Sequence, residues 1–148
     1  MNLYADTNFL AGHYLDIAME SPAPGMMQRA QENGWLPLPV TWLLRVELLN
    51  AIEQLVFAAR TTGQARVSPE LAAAAQANFR DDLRAGAVLR HRVVALDDLV
   101  AQFETLALRH TARHGFRTYD LLHVSAALVL GCDTRARRLA KLEGLRVN

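Results

Sequence analysis

The sequence contains a single cysteine and almost no lysine, and both shortages limit what the chain can be. Cys132 has no second cysteine with which to form a disulfide bridge or a zinc knuckle. None is needed, because a chain of 148 residues can bury roughly two thirds of its unfolded surface in its own core. Fifteen of the sixteen basic residues are arginine, which favours phosphate or carboxylate partners, although a genome rich in G and C produces the same bias.

A hydrophobic run long enough to cross a bilayer is also missing from the sequence. The longest apolar stretch, Leu121 to Cys132, is interrupted by His123 and is shorter than the ~20 residues of a membrane-spanning helix. No signal peptide is recognisable, so we expect a soluble protein of a reducing cytoplasm without membrane contact. The net charge is only +1, so nucleic-acid binding would require a local basic patch.

Short apolar runs alternate with helical patterns along the whole chain, and no repeat, linker or low-complexity segment divides it. This alternation predicts one α/β domain over residues 1–148, with helices flanking a small parallel sheet. The predicted strands are Asn2 to Ala5, Trp35 to Pro39, Arg92 to Leu96 and Leu145 to Val147. Two helices lie between the second and third of these strands, which predicts a thick crossover connection.

Side chains suited to helix capping predict where the longer helices begin. Their oxygens can accept a hydrogen bond from a backbone N–H of the first helical turn. The predicted caps are Thr41, Ser68, Asp97 or Asp98, and Thr118. The helix after Thr118 is apolar on nearly every face, so we expect it to be buried on several sides.

Three carboxylates occupy positions that suit chemistry. Asp6 follows the first predicted strand, where ligands of open α/β sheets bind. Glu47 shares a helix face with Asn50 among apolar neighbours, and Asp120 lies in the first turn of the buried helix. Each carboxylate also has an ordinary explanation, since Asp6 can cap a helix, Glu47 can face water and Asp120 can favour the helix dipole.

Convergence of these carboxylates would create a site for a hard cation. Their mutual repulsion inside a pocket is relieved by a divalent ion, and Mg²⁺ and Mn²⁺ prefer oxygen ligands. Such a site activates water and stabilises a phosphoryl oxyanion, as metal-dependent phosphodiester hydrolysis requires. We therefore predict that Asp6, Glu47 and Asp120 are both the metal ligands and the catalytic residues.

The order and spacing of these motifs resemble those of PIN-domain proteins of the VapC toxin type over essentially the full chain. The matching segments are Tyr4-Ala-Asp6-Thr-Asn8-Phe-Leu10, Val46-Glu47-Leu-Leu-Asn50-Ala, and the Arg-x-x-Asp-x-x-His-x-x-Ala pattern of Arg117, Asp120, His123 and Ala126. The resemblance implies a PIN-like three-layer fold and a Mg²⁺- or Mn²⁺-dependent ribonuclease. Members of that family are commonly inhibited by a cognate antitoxin and are often dimeric.

The same resemblance suggests supporting residues around the carboxylates and a surface for RNA. The supporting residues are Thr7, Asn8, Asn50 and Arg117. The first two would orient Asp6 or bind water, the third would support Glu47, and the last would pair with Asp120 or contact phosphate. The candidate RNA-tracking residues, for which a solvated helix face is an equal explanation, are Arg135, Arg137, Arg138 and Lys141.

The chain departs from the family pattern after Cys132. Relatives continue with a short fourth strand that delivers a fourth acid before a basic helix, and here that strand is lost or shortened. Asp133 fits the position of the fourth acid, but the preceding helix carries the chain about 16 Å away from Asp120 at about 1.5 Å per residue. Capping of the final helix is therefore the favoured role of Asp133.

The missing strand also uncovers one edge of the first predicted strand. Unpaired backbone groups at such an edge invite another segment or another chain. Leu145 to Val147 could fill the gap, or a second subunit could do so in a homodimer. The solution mass distinguishes these arrangements.

Two other functions are compatible with the sequence. A catalytically weakened PIN module would bind an antitoxin or RNA without efficient cleavage; the missing strand favours it, whereas the three intact acids favour the enzyme. A phosphoacceptor-like α/β domain would also use an aspartate at a strand end. That reading leaves Glu47 and the Arg117 motif unexplained.

Overall fold

Helices surround a two-stranded parallel sheet in the computed structural model, which describes residues 3–63 and 66–132. The helices are α1 Thr7–Tyr14, α2 Asp16–Met19, α3 Ala23–Glu32, α4 Trp42–Thr62, α5 Pro69–Ala85, α6 Leu96–Leu106, α7 Ala112–His114 and α8 Thr118–Val129. The strands are β1 Leu38–Val40 and β2 Leu89–His91, and a π-helical segment, Ala107–Thr111, joins α6 to α7. The predicted α/β class is confirmed at this level.

The two strands are parallel, with Leu38 opposite Leu89 and Val40 opposite His91. The ladder extends beyond the strands, because the Leu38 N–H donates to the Val88 carbonyl at 2.9 Å and the Arg92 N–H donates to the Val40 carbonyl at 2.9 Å. The connection between the strands contains α4 and α5, which contact each other. This confirms the parallel pairing and the predicted two-helix crossover.

The predicted strand from Arg92 to Leu96 is wrong. The pairing strand lies a few residues earlier, at β2, and Leu96 is already the first residue of α6. The β-branched residues of this region suggested a strand, yet Val93 is 79% exposed while Leu89 is completely buried. Burial against the core, rather than strand propensity, decides which residues pair.

The predicted first strand, Asn2 to Ala5, is wrong over its described part. Leu3 to Ala5 lead into α1 outside the sheet, although Tyr4 and Ala5 are buried. An apolar run can bury its side chains by packing without joining a hydrogen-bonded ladder, and the sequence pattern reports only the packing. The last predicted strand, Leu145 to Val147, lies outside the described residues.

Two of the predicted helix caps are confirmed by their hydrogen bonds. The Thr41 Oγ1 accepts from the Leu44 N–H at 3.3 Å at the start of α4. The Ser68 Oγ accepts from the Leu71 N–H at 3.1 Å at the start of α5. Each hydroxyl satisfies a backbone donor that the helix itself cannot pair.

The other two predicted caps are wrong by one to three residues. Ala95 occupies the cap position of α6, and Asp97 and Asp98 lie in its first turn. Arg117 occupies the cap position of α8, and Thr118 is its first helical residue. First-turn carboxylates favour the positive end of a helix without capping it, so a sequence cannot tell the two roles apart.

The largest core cluster lies between α1, α3, α4, α5 and both strands. Its fully buried members include Leu10, Leu44, Leu48 and Leu89. Two smaller clusters surround α8, which packs against α6. Most of the α8 side chains from Leu121 to Ala127 are buried, as its apolar faces predicted. Across residues 3–63 and 66–132, no helix is long and apolar enough to span a membrane.

His13 lies half-buried on α1 with a polar atom that lacks a partner. Its Nδ1 is buried and has no hydrogen bond within residues 3–63 and 66–132. Burial lowers the pKa of His13 below its usual 6.5, and the charges of Asp82 on α5 and Asp16 on α2 oppose that effect. The folded protein therefore favours the neutral imidazole.

We expect the free energy of unfolding to rise with pH through the window that ends near pH 6.5, the ordinary value for His13. A lowered pKa means that the folded state binds fewer protons than the unfolded chain in this window, so acid favours unfolding. Urea unfolding at about pH 5.5 and about pH 7.5 should show a smaller pH difference for His13→Gln than for the wild type. An identical difference in both proteins would contradict this assignment.

Candidate active site

The first motif places a buried hydroxyl beside a carboxylate. Tyr4 is 5% exposed, and Asp6 follows it at the cap position of α1. The Asp6 Oδ1 accepts from the Phe9 N–H at 2.7 Å, so the ordinary capping role is real.

The second and third motifs meet through a direct side-chain contact. Glu47 Oε2 on α4 contacts His123 Nε2 on α8, and the two side chains are 32% and 11% exposed. These residues are 76 positions apart in the sequence, so the tertiary fold alone brings them together. Glu47 therefore does not simply face water, as an amphipathic helix would have allowed.

Tyr4 completes the connection between the three motifs. Its hydroxyl lies 3.0 Å from His123 Nδ1 and 3.4 Å from Thr41 Oγ1, the hydroxyl that also caps α4. The imidazole is thus held on both ring nitrogens, by Tyr4 on one side and by Glu47 on the other. We call Tyr4, Thr41, Glu47 and His123 the tyrosine–histidine network.

The chemistry of these groups orders the donors of the network. A carboxylate can only accept a hydrogen bond, so the His123 Nε2 carries a proton and donates to Glu47. In a neutral imidazole the Nδ1 is then an acceptor, and the Tyr4 hydroxyl donates to it. The Tyr4 oxygen can accept from Thr41 in turn. The hydrogen bonds of the network then all run in one direction, from Thr41 through Tyr4 and His123 to Glu47. This order fixes the tautomer of His123, with its proton on Nε2.

Two of the predicted metal ligands act electrostatically on Tyr4. Burial raises the pKa of the Tyr4 hydroxyl well above its usual value, the hydrogen bond from Thr41 lowers it, and the negative charges of Glu47 and Asp6 raise it further. Tyr4 therefore stays a protonated donor at neutral pH. The charges of Asp6 and Glu47 therefore act on the same buried hydroxyl, although its hydrogen-bond partners are Thr41 and His123.

Asp120 lies near the network but is not part of it. It is half-buried in the first turn of α8, three residues before His123, and residues at that spacing share a helix face. Arg117 is exposed at the cap position. These two side chains form no ion pair in the described structure, so phosphate contact is the remaining prediction for Arg117.

The described residues contain no preformed metal cage. No group of three His, Cys, Asp or Glu side chains within residues 3–63 and 66–132 is arranged to hold a metal ion. Thr7 is buried, and its Oγ1 has no hydrogen-bond partner in this part of the chain. Asn8 and Asn50 are exposed. The possible fourth acid and the predicted RNA-tracking residues lie outside the described residues: Asp133, Arg135, Arg137, Arg138 and Lys141.

The hydrogen bonds of Tyr4 to His123 and Thr41 were not predicted from the sequence, which indicated only the capping role of Thr41 and the motif position of His123. A signal for Tyr4 was available, because a buried tyrosine hydroxyl usually needs a hydrogen-bond partner. A histidine in an otherwise apolar helix needs one for the same reason. The sequence does not show that these two residues satisfy each other.

The Tyr4–His123 hydrogen bond predicts non-additive stability changes. In a double-mutant cycle of Tyr4→Phe and His123→Ala, measured by urea unfolding, we expect a coupling energy of roughly 0.5–3 kcal/mol. The coupling arises because either substitution alone removes a partner that the other residue needs. Additive effects would show that the two side chains do not interact in solution.

The matched control replaces a different tyrosine hydroxyl. The Tyr14 hydroxyl donates to Asp82 Oδ2 at 2.6 Å and makes no hydrogen bond to His123. A cycle of Tyr14→Phe with His123→Ala should therefore be additive to within about 0.5 kcal/mol. This comparison separates a specific hydrogen bond from general loosening of the core.

No protein-family model matches this chain, and a comparison with curated proteins gave no match. The functional interpretation therefore depends on the side chains and their contacts.

Proposed function

We propose that this protein is a ribonuclease of the PIN-domain type that hydrolyses RNA phosphodiester bonds with a bound Mg²⁺ or Mn²⁺. The proposal includes a PIN-like three-layer arrangement of the whole chain and a site formed by Asp6, Glu47 and Asp120. The sequence motifs support the proposal by their resemblance to the family pattern. The described contacts add support, because they bring these motifs close together in space.

The observation that carries the proposal is the contact between Glu47 and His123. It joins the glutamate motif of α4 to the Arg-x-x-Asp-x-x-His pattern of α8, and the Tyr4 hydrogen bond joins both to the segment that holds Asp6. Three motifs that are far apart in the sequence thus meet around one buried hydroxyl. Chance patterns along a chain have no reason to converge in this way.

The donor chemistry fits a hard divalent cation. Glu47 uses Oε2 for His123, and its Oε1 makes no hydrogen bond within the described residues. Asp6 and Asp120 supply further carboxylates, and the buried Thr7 hydroxyl is an oxygen without a partner in this part of the chain. Oxygen ligands of this type are those that Mg²⁺ and Mn²⁺ prefer.

The chain's own residues would position the reacting groups. A bound divalent cation supplies water activation and stabilisation of the phosphoryl oxyanion. His123 holds one oxygen of Glu47 and thereby orients the other, while the capping bond of Asp6 fixes its carboxylate at the start of α1. Arg117, exposed at the start of α8, would contact a substrate phosphate.

A binding module is the second candidate function. The strand that is missing from the sequence after Cys132 favours a PIN relative that has lost efficient cleavage. Such a module would bind RNA or a cognate antitoxin, and a homodimer is compatible with either function. The two candidates differ in whether RNA is cleaved.

Cleavage of RNA in the presence of Mn²⁺ tests the proposal. We expect the wild type to cleave and Asp120→Asn to lose activity by more than roughly 100-fold, since even indirect partners of a metal cost 10- to 100-fold. Asp97→Asn is the matched control, because Asp97 is an exposed acid in the first turn of α6. Both substitutions remove a first-turn carboxylate and its interaction with a helix dipole.

The outcomes separate the two functions. Activity that survives in Asp120→Asn at the wild-type level would overturn the proposed site. Inactivity of all three proteins, with RNA binding retained, would favour the binding module. Equal loss in both variants would assign the effect to helix stability.

A further inference from the structure

A cleft outside the tyrosine–histidine network runs along the small sheet. It has a volume of about 180 Å³, and its wall includes Trp35, Pro39, Arg90, Arg92 and Cys132. Enclosed small-molecule pockets commonly measure roughly 300–1,000 Å³. The cleft is therefore smaller than a typical cofactor site, so a ligand bound here would enter it only in part.

The charge of the cleft wall is positive. Arg90 lies in β2 and Arg92 follows its last residue, where the Arg92 N–H still donates to the Val40 carbonyl, and both side chains line the cleft. Both arginines are exposed, and neither forms an ion pair with another described residue. None of the described residues that line the cleft carries a carboxylate. Two guanidinium groups that form no ion pair within residues 3–63 and 66–132 favour an anionic ligand.

An aromatic side chain accompanies these charges. Trp35 is half-buried, lies in the segment that leads into β1, and lines the same cleft as Arg90 and Arg92. Proteins that bind single-stranded nucleic acid combine basic side chains for the backbone with aromatic faces for the bases. The cleft offers both kinds of group.

The cleft and the candidate active site share part of the same core. Cys132 lines the cleft and packs in one cluster with Tyr4 and Val94. Burial raises the pKa of the Cys132 thiol, and the charge of Arg92 acts in the opposite direction, which places that guanidinium near the thiol. A polymer bound in the cleft would therefore lie beside the elements that carry the network.

We propose that this cleft is a binding site for single-stranded RNA, in which Arg90 and Arg92 contact phosphates and Trp35 stacks on a base. The choice of RNA rests on the proposed function, since phosphates and bases are common to both nucleic acids. The predicted basic cluster near the C-terminus is not required for this site. The cleft instead supplies a basic surface within the described chain.

Salt dependence of RNA binding tests the two arginines directly. Binding of a fluorescent single-stranded RNA to the full chain is measured in EDTA, where metal-dependent cleavage cannot occur. Each phosphate contact adds about 0.7 to the slope of log affinity against log salt for single strands, so Arg90→Gln with Arg92→Gln should reduce that slope by about 1.4. The affinity at low salt should fall accordingly.

The control pair is Arg45→Gln with Arg80→Gln. These arginines are also exposed and line a groove of about 120 Å³ between α4 and α5, whose wall is largely apolar. This double substitution removes the same total charge, so a general electrostatic effect would lower the slope in both proteins. The proposal requires a slope unchanged from the wild type in the control.

Trp35→Leu examines the stacking contact separately. We expect binding to weaken by roughly 5- to 150-fold, the range produced by loss of one base–aromatic stack, while the salt slope stays unchanged. Thermal unfolding of this variant shows whether the fold is intact. If that variant unfolds, the arginine pair alone decides the proposal, because both arginines are at the surface.

The results distinguish the cleft from the proposed function. A wild-type slope in Arg90→Gln with Arg92→Gln, or an equal reduction in the control pair, would overturn the cleft even if RNA is cleaved. The expected slopes in a protein that never cleaves RNA would support the cleft and count against the nuclease. Equal binding of a single-stranded DNA of the same sequence would support the cleft and remove the preference for RNA.

Discussion

The contact between Glu47 and His123 connects parts of the protein that otherwise have separate cores. The buried residues of α4 belong to the largest cluster, whereas α8 lies in the two smaller clusters beside α6. The His123 side chain is only 11% exposed, and a buried polar group without a partner costs about 1–3 kcal/mol, so the imidazole needs the hydrogen bonds that it makes. This polar contact is therefore one of the interactions that position the candidate site.

Tyr4 extends that dependence to the start of the chain. Its hydroxyl reaches both His123 and Thr41, and Thr41 also begins α4. One set of hydrogen bonds thus caps a helix, fixes an imidazole and holds a carboxylate that is a candidate ligand. Asp6 likewise has a structural role, because it caps α1.

Much of the fold was predictable from local patterns, and the exceptions have a common cause. Thr41 and Ser68 cap their helices as predicted, because capping depends on neighbouring backbone groups alone. The third strand was misplaced because Val93 has high strand propensity but remains exposed, while Leu89 pairs within the core. Pairing depends on a distant partner, and a local pattern contains no information about that partner.

The sequence by itself determined the helical periodicity, two of the helix starts, the parallel two-helix crossover and the candidate carboxylates. Only the tertiary structure decided that Glu47 meets His123, that Tyr4 bonds the same imidazole, and that Arg90 and Arg92 line a cleft with Trp35. The physical reason is that side-chain hydrogen bonds and clefts form between residues separated by many tens of positions. Their geometry follows from how the helices pack on the sheet.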